Sequence, residues 1–189
     1  MSTAELSPDQ ARALAAAKGD RRAAEALLAQ LLPRVRNLVR YLVRGDWDVD
    51  DIAQEALIAI FRGLPTYRAE GTFKSWADRV VVRVTLASIR AARTRPSRPG
   101  PEPVELTMVP DPSAPADEYL TRREMALMLD EIPFDQRHAL VLHHVVGMSV
   151  PEIAEQLSTP LETVRSRLRL GMASLRAMHE KTKATKREP

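Results

Sequence analysis

The chain has 189 residues, a formal net charge of +3 and no cysteine, which excludes disulfides, cysteine-ligated zinc and thiol catalysis. Its length suffices for one ordinary domain or two small ones. No run approaches the roughly 18 uncharged apolar residues of a membrane span, and the N-terminus lacks an export signal. Frequent Ala, Leu, Arg and Glu, with only 4% aromatics, predict an all-α protein. Without a span or an export signal, we expect it in the cytoplasm.

Charge is unevenly distributed along the chain. Residues 46–55 contain five acids and no base, whereas residues 79–98 contain six arginines and no acid. Residues 165–187 contain eight Lys or Arg against one Glu. Such segments predict two different partners, one a polyanion and the other a cationic or helical surface.

Three amphipathic helices are predicted before residue 96. The first covers 21–43, where apolar residues recur at helical spacing. The second covers 48–62, with one apolar face and a partly outward acidic side. Its inward residues are Ile52, Ala53, Ala56, Ile60 and Phe61, and its outward residues are Asp50, Asp51, Gln54 and Glu55. The third helix covers 72–93 and follows the loop GLPTYRAEG.

Seven of the fourteen prolines lie between Pro96 and Pro115. Since apolar residues do not recur at helical or strand spacing there, the stretch is predicted to be an extended linker. The predicted organisation is a first domain over 1–95, a flexible linker over 96–116, a second domain over 117–180 and a disordered basic tail over 181–189.

Two helix starts lie only ten residues apart in the second domain. Further helices are predicted before them, over 117–130 and 134–146. Ser149 precedes Glu152 by three positions, and Thr159 precedes Glu162 by the same interval. A hydroxyl residue followed by Glu at this spacing forms a capping box, which satisfies free N–H groups at a helix start. Two such starts with a sharp turn between them predict a helix-turn-helix.

The second helix of this pair has two chemically different sides. Its apolar side carries Leu161, Val164 and Leu168, which would form a small core with Ile153, Ala154 and Leu157. Its polar side carries Glu162, Thr163, Ser166 and Arg169, flanked by Arg165 and Arg167. Short polar groups and arginines are what a helix entering a DNA groove requires. The pattern therefore predicts DNA binding.

Metal and catalytic sites find little support in the sequence. The acids at 46, 48 and 50 alternate as in a calcium loop. However, Asp51 replaces the glycine that the loop needs for its turn, and Leu57 replaces the Glu that would bind calcium with both oxygens. His143 and His144 have no other ligand nearby in the sequence, which favours a helix-surface role. No phosphate loop and no nucleophile paired with a base is present. We therefore expect that the protein is not an enzyme and binds no cofactor, metal or small-molecule substrate.

Three segments, in order, resemble an extracytoplasmic-function (ECF) sigma factor, a promoter-recognition subunit of bacterial RNA polymerase. DVDDIAQEALIAIFR (48–62) is similar to the family's second conserved region. GTFKSWADRVVVRVTLASIRAARTR (71–95) resembles the part that melts and reads the −10 element. LDEIPFDQRHALVLHHVVGMSVPEIAEQLSTPLETVRSRLRLG (129–171) resembles the fourth region. The resemblance implies two small helical domains and a factor that directs core polymerase to promoters.

The resemblance also implies three groups of site residues. The group docking on the β′ clamp coiled coil of core polymerase would be Asp51, Gln54, Glu55 and Leu57. The group at the −10 DNA would be Tyr67, Arg68, Phe73, Lys74, Trp76, Arg79, Arg83 and Arg90, because a flipped base needs an apolar platform and a cationic approach. The group at the −35 DNA would be Thr163, Arg165, Ser166 and Arg169.

Four positions depart from the family pattern. They are Leu57 where Phe is usual, Arg83 where Asn is common, Ala87 where Asp is common, and Leu170 where Arg is common. Base preferences of the family therefore do not transfer to this chain. The resemblance further implies the polymerase β flap as a contact, and an anti-sigma protein, often membrane-bound, as an inhibitor.

An alternative function is a stand-alone helix-turn-helix regulator whose N-terminal helices sense a ligand or dimerise. This hypothesis predicts binding to a palindrome without polymerase. It leaves the acidic helix and the arginine-rich third helix unexplained.

Overall fold

The computed structural model describes residues 7–45, 48–94 and 116–185, and the regular structure in these ranges is helical throughout. The chain forms two compact units that divide between Asp111 and Pro112. The predicted all-α fold with two small helical domains is confirmed. Residues 95–115, which include most of the predicted linker, lie outside the described ranges.

The N-terminal unit contains helices α1 to α4. They are α1 (Pro8–Ala17), α2 (Arg21–Leu42), α3 (Val49–Gly63) and α4 (Phe73–Thr94), with a 3-10 turn (Leu64–Thr66) after α3. The three predicted helices correspond to α2, α3 and α4, and each lies within one residue of its predicted ends. Helix α1 is not predicted from the sequence, because its alanine-rich segment offers little contrast between apolar and polar faces.

Side-chain caps define the starts of α1 and α2. The Ser7 hydroxyl accepts from the Gln10 N–H at 3.3 Å, and the Gln10 Oε1 accepts from the Ser7 N–H at 2.9 Å. This reciprocal pair is a capping box. The Asp20 carboxylate accepts from the Ala23 N–H at 3.0 Å. Pro33 lies inside α2 without ending it.

Helices α2, α3 and α4 pack around one apolar core. Its fully buried side chains include Leu27, Val35, Leu38, Leu42, Ile60, Leu64, Val81 and Val82. A two-bond ion pair accompanies this core, since Arg34 of α2 donates to the Asp78 carboxylate of α4 at 2.8 and 2.5 Å. Asp78 is only 3% exposed. The pair therefore ties α2 to α4 through a buried carboxylate.

The C-terminal unit contains helices α5 to α8. They are α5 (Ala116–Asp130), α6 (Phe134–Leu140), α7 (Val150–Gln156) and α8 (Leu161–Thr185). A π-helical turn (Val141–Val145) continues α6, so the helix predicted over 134–146 has a wider final turn. Helix α8 includes residues 181–185, which were predicted to be disordered. Residues 186–189 of the predicted tail lie outside the described ranges.

One arginine lies inside the C-terminal unit. Arg137 of α6 is 1% exposed. Its Nε donates to the Leu129 carbonyl at 2.7 Å, and its Nη2 lies 3.2 Å from the Asp130 carboxylate. Both partners belong to the last turn of α5, where carbonyls lack donors within the helix. Arg137 therefore ties the end of α5 to α6.

The first predicted capping box is confirmed at the start of α7. The Ser149 hydroxyl accepts from the Glu152 N–H, and the Glu152 carboxylate accepts from the Ser149 N–H at 2.8 Å. Ile153 and Val164 are fully buried, as predicted for the small core of α7 and α8. The prediction is wrong for Leu161, which is 43% exposed. Because α8 begins at Leu161, no preceding turn lies beneath its side chain.

The second helix start differs from the predicted capping box. The Pro160 carbonyl accepts from the Val164 N–H at 3.1 Å, so α8 begins one residue later than a box at Thr159 predicts. The Thr159 hydroxyl instead donates to the Leu157 carbonyl at 3.1 Å and accepts from Arg167 Nη1 at 3.3 Å. The side chain that was expected to cap the helix therefore stabilises the turn before it.

The turn between α7 and α8 is a Schellman motif. The Ser158 N–H donates to the Glu155 carbonyl at 3.1 Å, and the Thr159 N–H donates to the Ala154 carbonyl at 2.9 Å. Ser158 has a φ of +50°, a left-handed conformation that glycine usually supplies here. The predicted sharp turn is thus made at the cost of backbone strain.

Helix α8 passes very close to α6 at Gly171. A Cβ at this position would lie 2.8 Å from Cδ1 of Leu140 and 3.3 Å from Cβ of Gln136. Both of these side chains belong to α6. Glycine is therefore required here by helix packing.

Candidate functional site

The outer face of α3 combines polar and apolar side chains. Asp51, Gln54 and Glu55 are exposed at helical spacing. Ile58 and Phe61 continue this face and are 43% and 52% exposed. The prediction that Phe61 points inward is wrong, because its neighbour Ile60 is fully buried and successive helical residues lie about 100° apart. An exposed apolar surface beside carboxylates is suited to contact with another protein.

The carboxylates near this face have different environments. The Asp50 carboxylate pairs with Arg36 of α2 at 2.6 Å. Burial, and then the neighbouring Asp51, raise the pKa of Asp48. Leu57 is half-buried, so the residue that replaces the usual Phe offers only part of its surface. The exposed charge of the α3 face comes mainly from Asp51 and Glu55.

Three aromatic side chains form a cluster at the loop between α3 and α4. The ring centroids of Tyr67 and Phe73 lie 5.3 Å apart, edge to face, and the Trp76 ring lies 5.5 Å from each. Tyr67 and Phe73 are buried and Trp76 is half-buried. Stacking of a DNA base on Tyr67 or Phe73, as the resemblance implies, would require this cluster to open.

Cations line the exposed side of the same region. Arg68 of the loop and Lys74 at the start of α4 are exposed. Arg79, Arg83 and Arg90 are exposed along α4 at spacings of four and seven, which place them on one face. A row of exposed cations is suited to the phosphates of a nucleic-acid strand.

A contact between α1 and the loop was not predicted from the sequence. Gln10 Nε2 donates to the Gly71 carbonyl at 3.0 Å, and the Tyr67 hydroxyl donates to the same carbonyl at 2.9 Å. Gln10 and Gly71 are 61 positions apart. No local sequence pattern could indicate this contact.

The four predicted −35 residues follow one side of α8. Arg165 and Arg169 are exposed, and Thr163 and Ser166 are partly exposed. Arg165 pairs with Glu162 one turn earlier. Leu170, beside Arg169, is 48% exposed. This side thus presents arginines, hydroxyls and one leucine to solvent, which are groups that can contact base edges and a thymine methyl.

Arg167 differs from its neighbours on α8. Its Nη2 pairs with the Asp135 carboxylate of α6 at 2.6 Å, and its Nη1 donates to the Thr159 hydroxyl. Arg167 therefore stabilises the unit, while Arg169 is exposed and Arg165 is exposed beside its partner Glu162.

The adjacent histidines lie in the π-helical turn. His143 Nδ1 lies 2.9 Å from the Met148 carbonyl, and the two imidazole centroids are 4.8 Å apart. Burial, and then the neighbouring His143, lower the pKa of His144. Within the ranges that the structure describes, no three potential ligands group closely enough for a metal ion.

Family models match both units of the chain. Residues 27–95 match Sigma-70 region 2, and residues 122–175 match Sigma-70, region 4. The ECF RNA polymerase sigma-E factor of Haemophilus influenzae is 30% identical over 175 residues, which cover 87% of this chain and 92% of that relative. The chain belongs to the ECF sigma factors.

As an ECF sigma factor, the chain binds core RNA polymerase and promoter DNA and directs the polymerase to specific promoters. It is a transcription initiation factor and not an enzyme. The family and the function implied by the resemblance are confirmed.

Solved structures match the ECF sigma factor fold. CnrH, in complex with the cytosolic domain of CnrY, aligns with a TM-score of 0.55 and 25% identity over 92% of this chain and 97% of that chain. The sigma factor RpoE, in complex with the anti-sigma factor NepR from Bartonella quintana, aligns with a TM-score of 0.56 and 17% identity. That alignment covers 82% of this chain and 96% of the other.

Two further features of this ECF sigma factor concern helix α1 and membrane crossing. Helix α1 precedes the residues that either family model matches. In the part of the chain that the structure describes, no helix combines the length and the hydropathy that crossing a membrane requires.

Proposed function

We propose that this ECF sigma factor divides promoter recognition between its two units. Residues 1–95 would bind core polymerase and read and melt the −10 element, and residues 117–180 would read the −35 element. Residues 96–116 would be the tether between them, and the basic tail over 181–189 would add nonspecific attraction to DNA. The matches to regions 2 and 4 and the exposed basic faces of α4 and α8 support this division.

The outer face of α3 is the proposed docking surface for the β′ clamp coiled coil. Asp51, Gln54 and Glu55 supply its polar contacts, as the resemblance implies. Ile58 and Phe61 supply apolar surface that half-buried Leu57 offers only in part. Apolar anchors surrounded by polar groups are typical of energetically important protein contacts.

The exposed cations of the loop and α4 are the proposed −10 contacts. They are Arg68, Lys74, Arg79, Arg83 and Arg90. Phosphate contacts by such residues supply affinity and position the strand. Tyr67, Phe73 and Trp76 belong to the same proposed site, and their mutual packing supports a role in holding the loop.

The proposed −35 contacts are Thr163, Arg165, Ser166 and Arg169 of α8. Arginines contact guanine edges or phosphates, and hydroxyl groups contact bases or phosphates. Leu170 is exposed next to this face, and we propose that it packs on a thymine methyl.

Regulation by an anti-sigma protein is also proposed. CnrH, which is 25% identical, forms a complex with the cytosolic domain of CnrY. An inhibitor of this chain would cover the α3 face and could be membrane-bound, as the resemblance implies. The β flap would contact the C-terminal unit, and the whole cycle would take place in the cytoplasm, where the polymerase works.

Run-off transcription from a genomic promoter library tests the proposed function. Bacterial core polymerase with the purified chain should produce discrete starts that core polymerase alone does not produce. Glu55→Arg should reduce these transcripts by about tenfold or more, because it places a cation on the docking surface. Glu25→Arg is the matched control, since Glu25 is an exposed acid of α2 and should have little effect.

The alternative function is a stand-alone helix-turn-helix regulator. It would be supported if the chain protected a palindrome without polymerase and core polymerase gained no transcripts from it. The matches to Sigma-70 regions 2 and 4, together with the exposed acidic and apolar face of α3, decide against this alternative.

A further inference from the structure

The Gly71 carbonyl is held by two side chains from different parts of the N-terminal unit. Gln10 Nε2 of α1 donates to it at 3.0 Å, and the Tyr67 hydroxyl donates to it at 2.9 Å. A carbonyl oxygen has two lone pairs, so both bonds can form at once. They restrain the last residues of the loop before α4.

The Gln10 side chain is itself fixed at both ends. Its Oε1 accepts from the Ser7 N–H at 2.9 Å, which leaves Nε2 directed toward the loop. The amide thus completes the α1 capping box with its oxygen and bonds Gly71 with its nitrogen. The two functions can be separated by substitution.

Helix α1 is well anchored on the rest of the unit. Ala13 is fully buried. Arg12 donates to the Gln30 Oε1 of α2 at 2.6 Å, and the Gln30 Nε2 donates to the Asp9 carboxylate at 3.3 Å. The hydrogen bond from Gln10 therefore ties the loop to a helix that is packed on the core of the unit.

The bonds at Gly71 close a short exposed loop that begins at buried Tyr67. Between these two residues lie Arg68, Ala69 and Glu70, and Ala69 has a φ of +57°. A left-handed conformation at a residue with a Cβ is strained and persists where the surroundings fix it. The loop therefore holds Arg68 in one exposed position between two fixed points.

We propose that Gln10 is a positioning residue for promoter opening. By bonding Gly71, α1 holds the loop over 67–71 in the shape in which Arg68 meets the −10 region. This inference rests on the proposed function of the loop. It assigns a role to a helix that neither family match includes.

The test uses the full-length chain in holoenzyme with a duplex promoter selected from a library randomised at the −10 and −35 elements. Gln10→Glu keeps the oxygen that caps α1 but removes the donor to Gly71. Gln10→Met removes both functions without adding charge. Ser7→Ala is the matched control, because it weakens the α1 cap and leaves the bond from Gln10 to Gly71 in place.

Promoter opening is followed by permanganate reactivity on templates that carry each base at each −10 position, together with affinity for core polymerase. Gln10→Glu and Gln10→Met should each slow opening by roughly threefold to tenfold, the value of one hydrogen bond. Both should also reduce discrimination between −10 bases. Affinity for core polymerase should stay within about twofold, and Ser7→Ala should open promoters as the parent does.

Unchanged opening and base discrimination in both Gln10 variants would overturn the inference. An equal defect in Ser7→Ala would also overturn it, because the effect would then come from α1 stability alone. Arg68→Ala separates this failure from that of the proposed function. If Arg68→Ala slows opening while the Gln10 variants do not, the loop contacts DNA without help from α1. If Arg68→Ala is silent as well, the proposed −10 role of the loop is also wrong.

Discussion

Arg34 in the N-terminal unit donates to a side-chain carboxylate, that of Asp78, whereas Arg137 in the C-terminal unit donates to a backbone carbonyl and pairs with Asp130. The first contact joins two long helices across a core. The second completes the end of one helix and joins it to the next. Arg137 is nearly inaccessible, while the Arg34 side chain remains 30% exposed. Each of these two contacts thus joins helices through an arginine, but Arg137 is buried almost completely and Arg34 is not.

This difference indicates which cations of an arginine-rich chain are available to bind DNA. Some cations are bonded to a residue of another helix, namely Arg34, Arg36, Arg137 and Arg167. The cations of the proposed promoter contacts lie on exposed faces of the loop, α4 and α8. Since a cation paired inside the protein contributes little to phosphate binding, charge counts along the sequence overstate the DNA-binding surface.

The largest expected effect comes from removing the buried arginine of the C-terminal unit. Arg137→Leu should lower the free energy of unfolding by about 3 kcal/mol or more, because the arginine is almost completely buried and its loss leaves the Leu129 carbonyl and the Asp130 carboxylate without this donor. Hydrogen exchange of peptides from α5 and α6 should accelerate accordingly.

Arg167→Leu is the matched control in the same unit. Its partner Asp135 is exposed, so solvent screens the pair and the loss should stay below about 1 kcal/mol. Equal losses in the two variants would contradict the distinction between a buried and a peripheral arginine.

A smaller effect is expected from breaking the ion pair of the N-terminal unit. Asp78→Ala should cost about 2 kcal/mol, because Arg34 can turn toward water when its buried partner is lost. Both tryptophans belong to residues 47–76, so tryptophan fluorescence during urea unfolding reports this unit. Glu25→Ala, which removes an exposed surface pair with Arg21 at 2.8 Å, is the control and should be nearly neutral. A silent Asp78→Ala would show that the apolar core alone holds α2 to α4.

The two units also share a feature whose removal should stabilise them, namely one described residue each with a Cβ and positive φ. Ser158→Gly should raise the free energy of unfolding by about 0.5–1 kcal/mol, since glycine adopts this conformation without strain. Ala69→Gly in the N-terminal unit is the comparison variant. Thermal unfolding of each variant measures the gain. A less stable Ser158→Gly would mean that the serine hydroxyl stabilises the turn more than strain destabilises it.

The sequence predicts elements wherever the pattern is local. Helices α2, α3 and α4 follow from apolar residues at helical spacing, and the start of α7 follows from Ser149 and Glu152. At the second predicted capping box, the Thr159 hydroxyl instead donates to the Leu157 carbonyl and accepts from Arg167, nearly two turns into α8. A sequence pattern cannot show such competition for one hydroxyl group.

Contacts between residues that are far apart in the sequence could not be predicted. The bond from Gln10 to Gly71, the burial of Arg137 and the packing of Gly171 against Leu140 each depend on how helices meet in space. The candidate −35 residues are exposed as their positions on the helix require, whereas the aromatic residues assigned to −10 DNA pack on one another. Exposure of an aromatic ring depends on its neighbours, and residue type alone does not reveal them.

The smallest expected effect is a dependence on pH that belongs to the C-terminal unit, because all four histidines lie between residues 138 and 179. The pKa of His144 is lowered from its ordinary value of 6.5, first by burial and then by His143. The unfolded chain therefore binds a proton at higher pH than the folded chain does. The contribution of neutral His144 to stability is fully present above pH 6.5 and is lost as pH falls through the lowered pKa.

Urea unfolding at several pH values below 7.5, followed by circular dichroism, measures this loss. His144→Asn should make the decline with falling pH shallower, because asparagine takes up no proton in either state. His179→Asn is the matched control on an exposed face of α8. A decline that is unchanged in His144→Asn would assign the acid sensitivity of the unit to groups other than the His143–His144 pair.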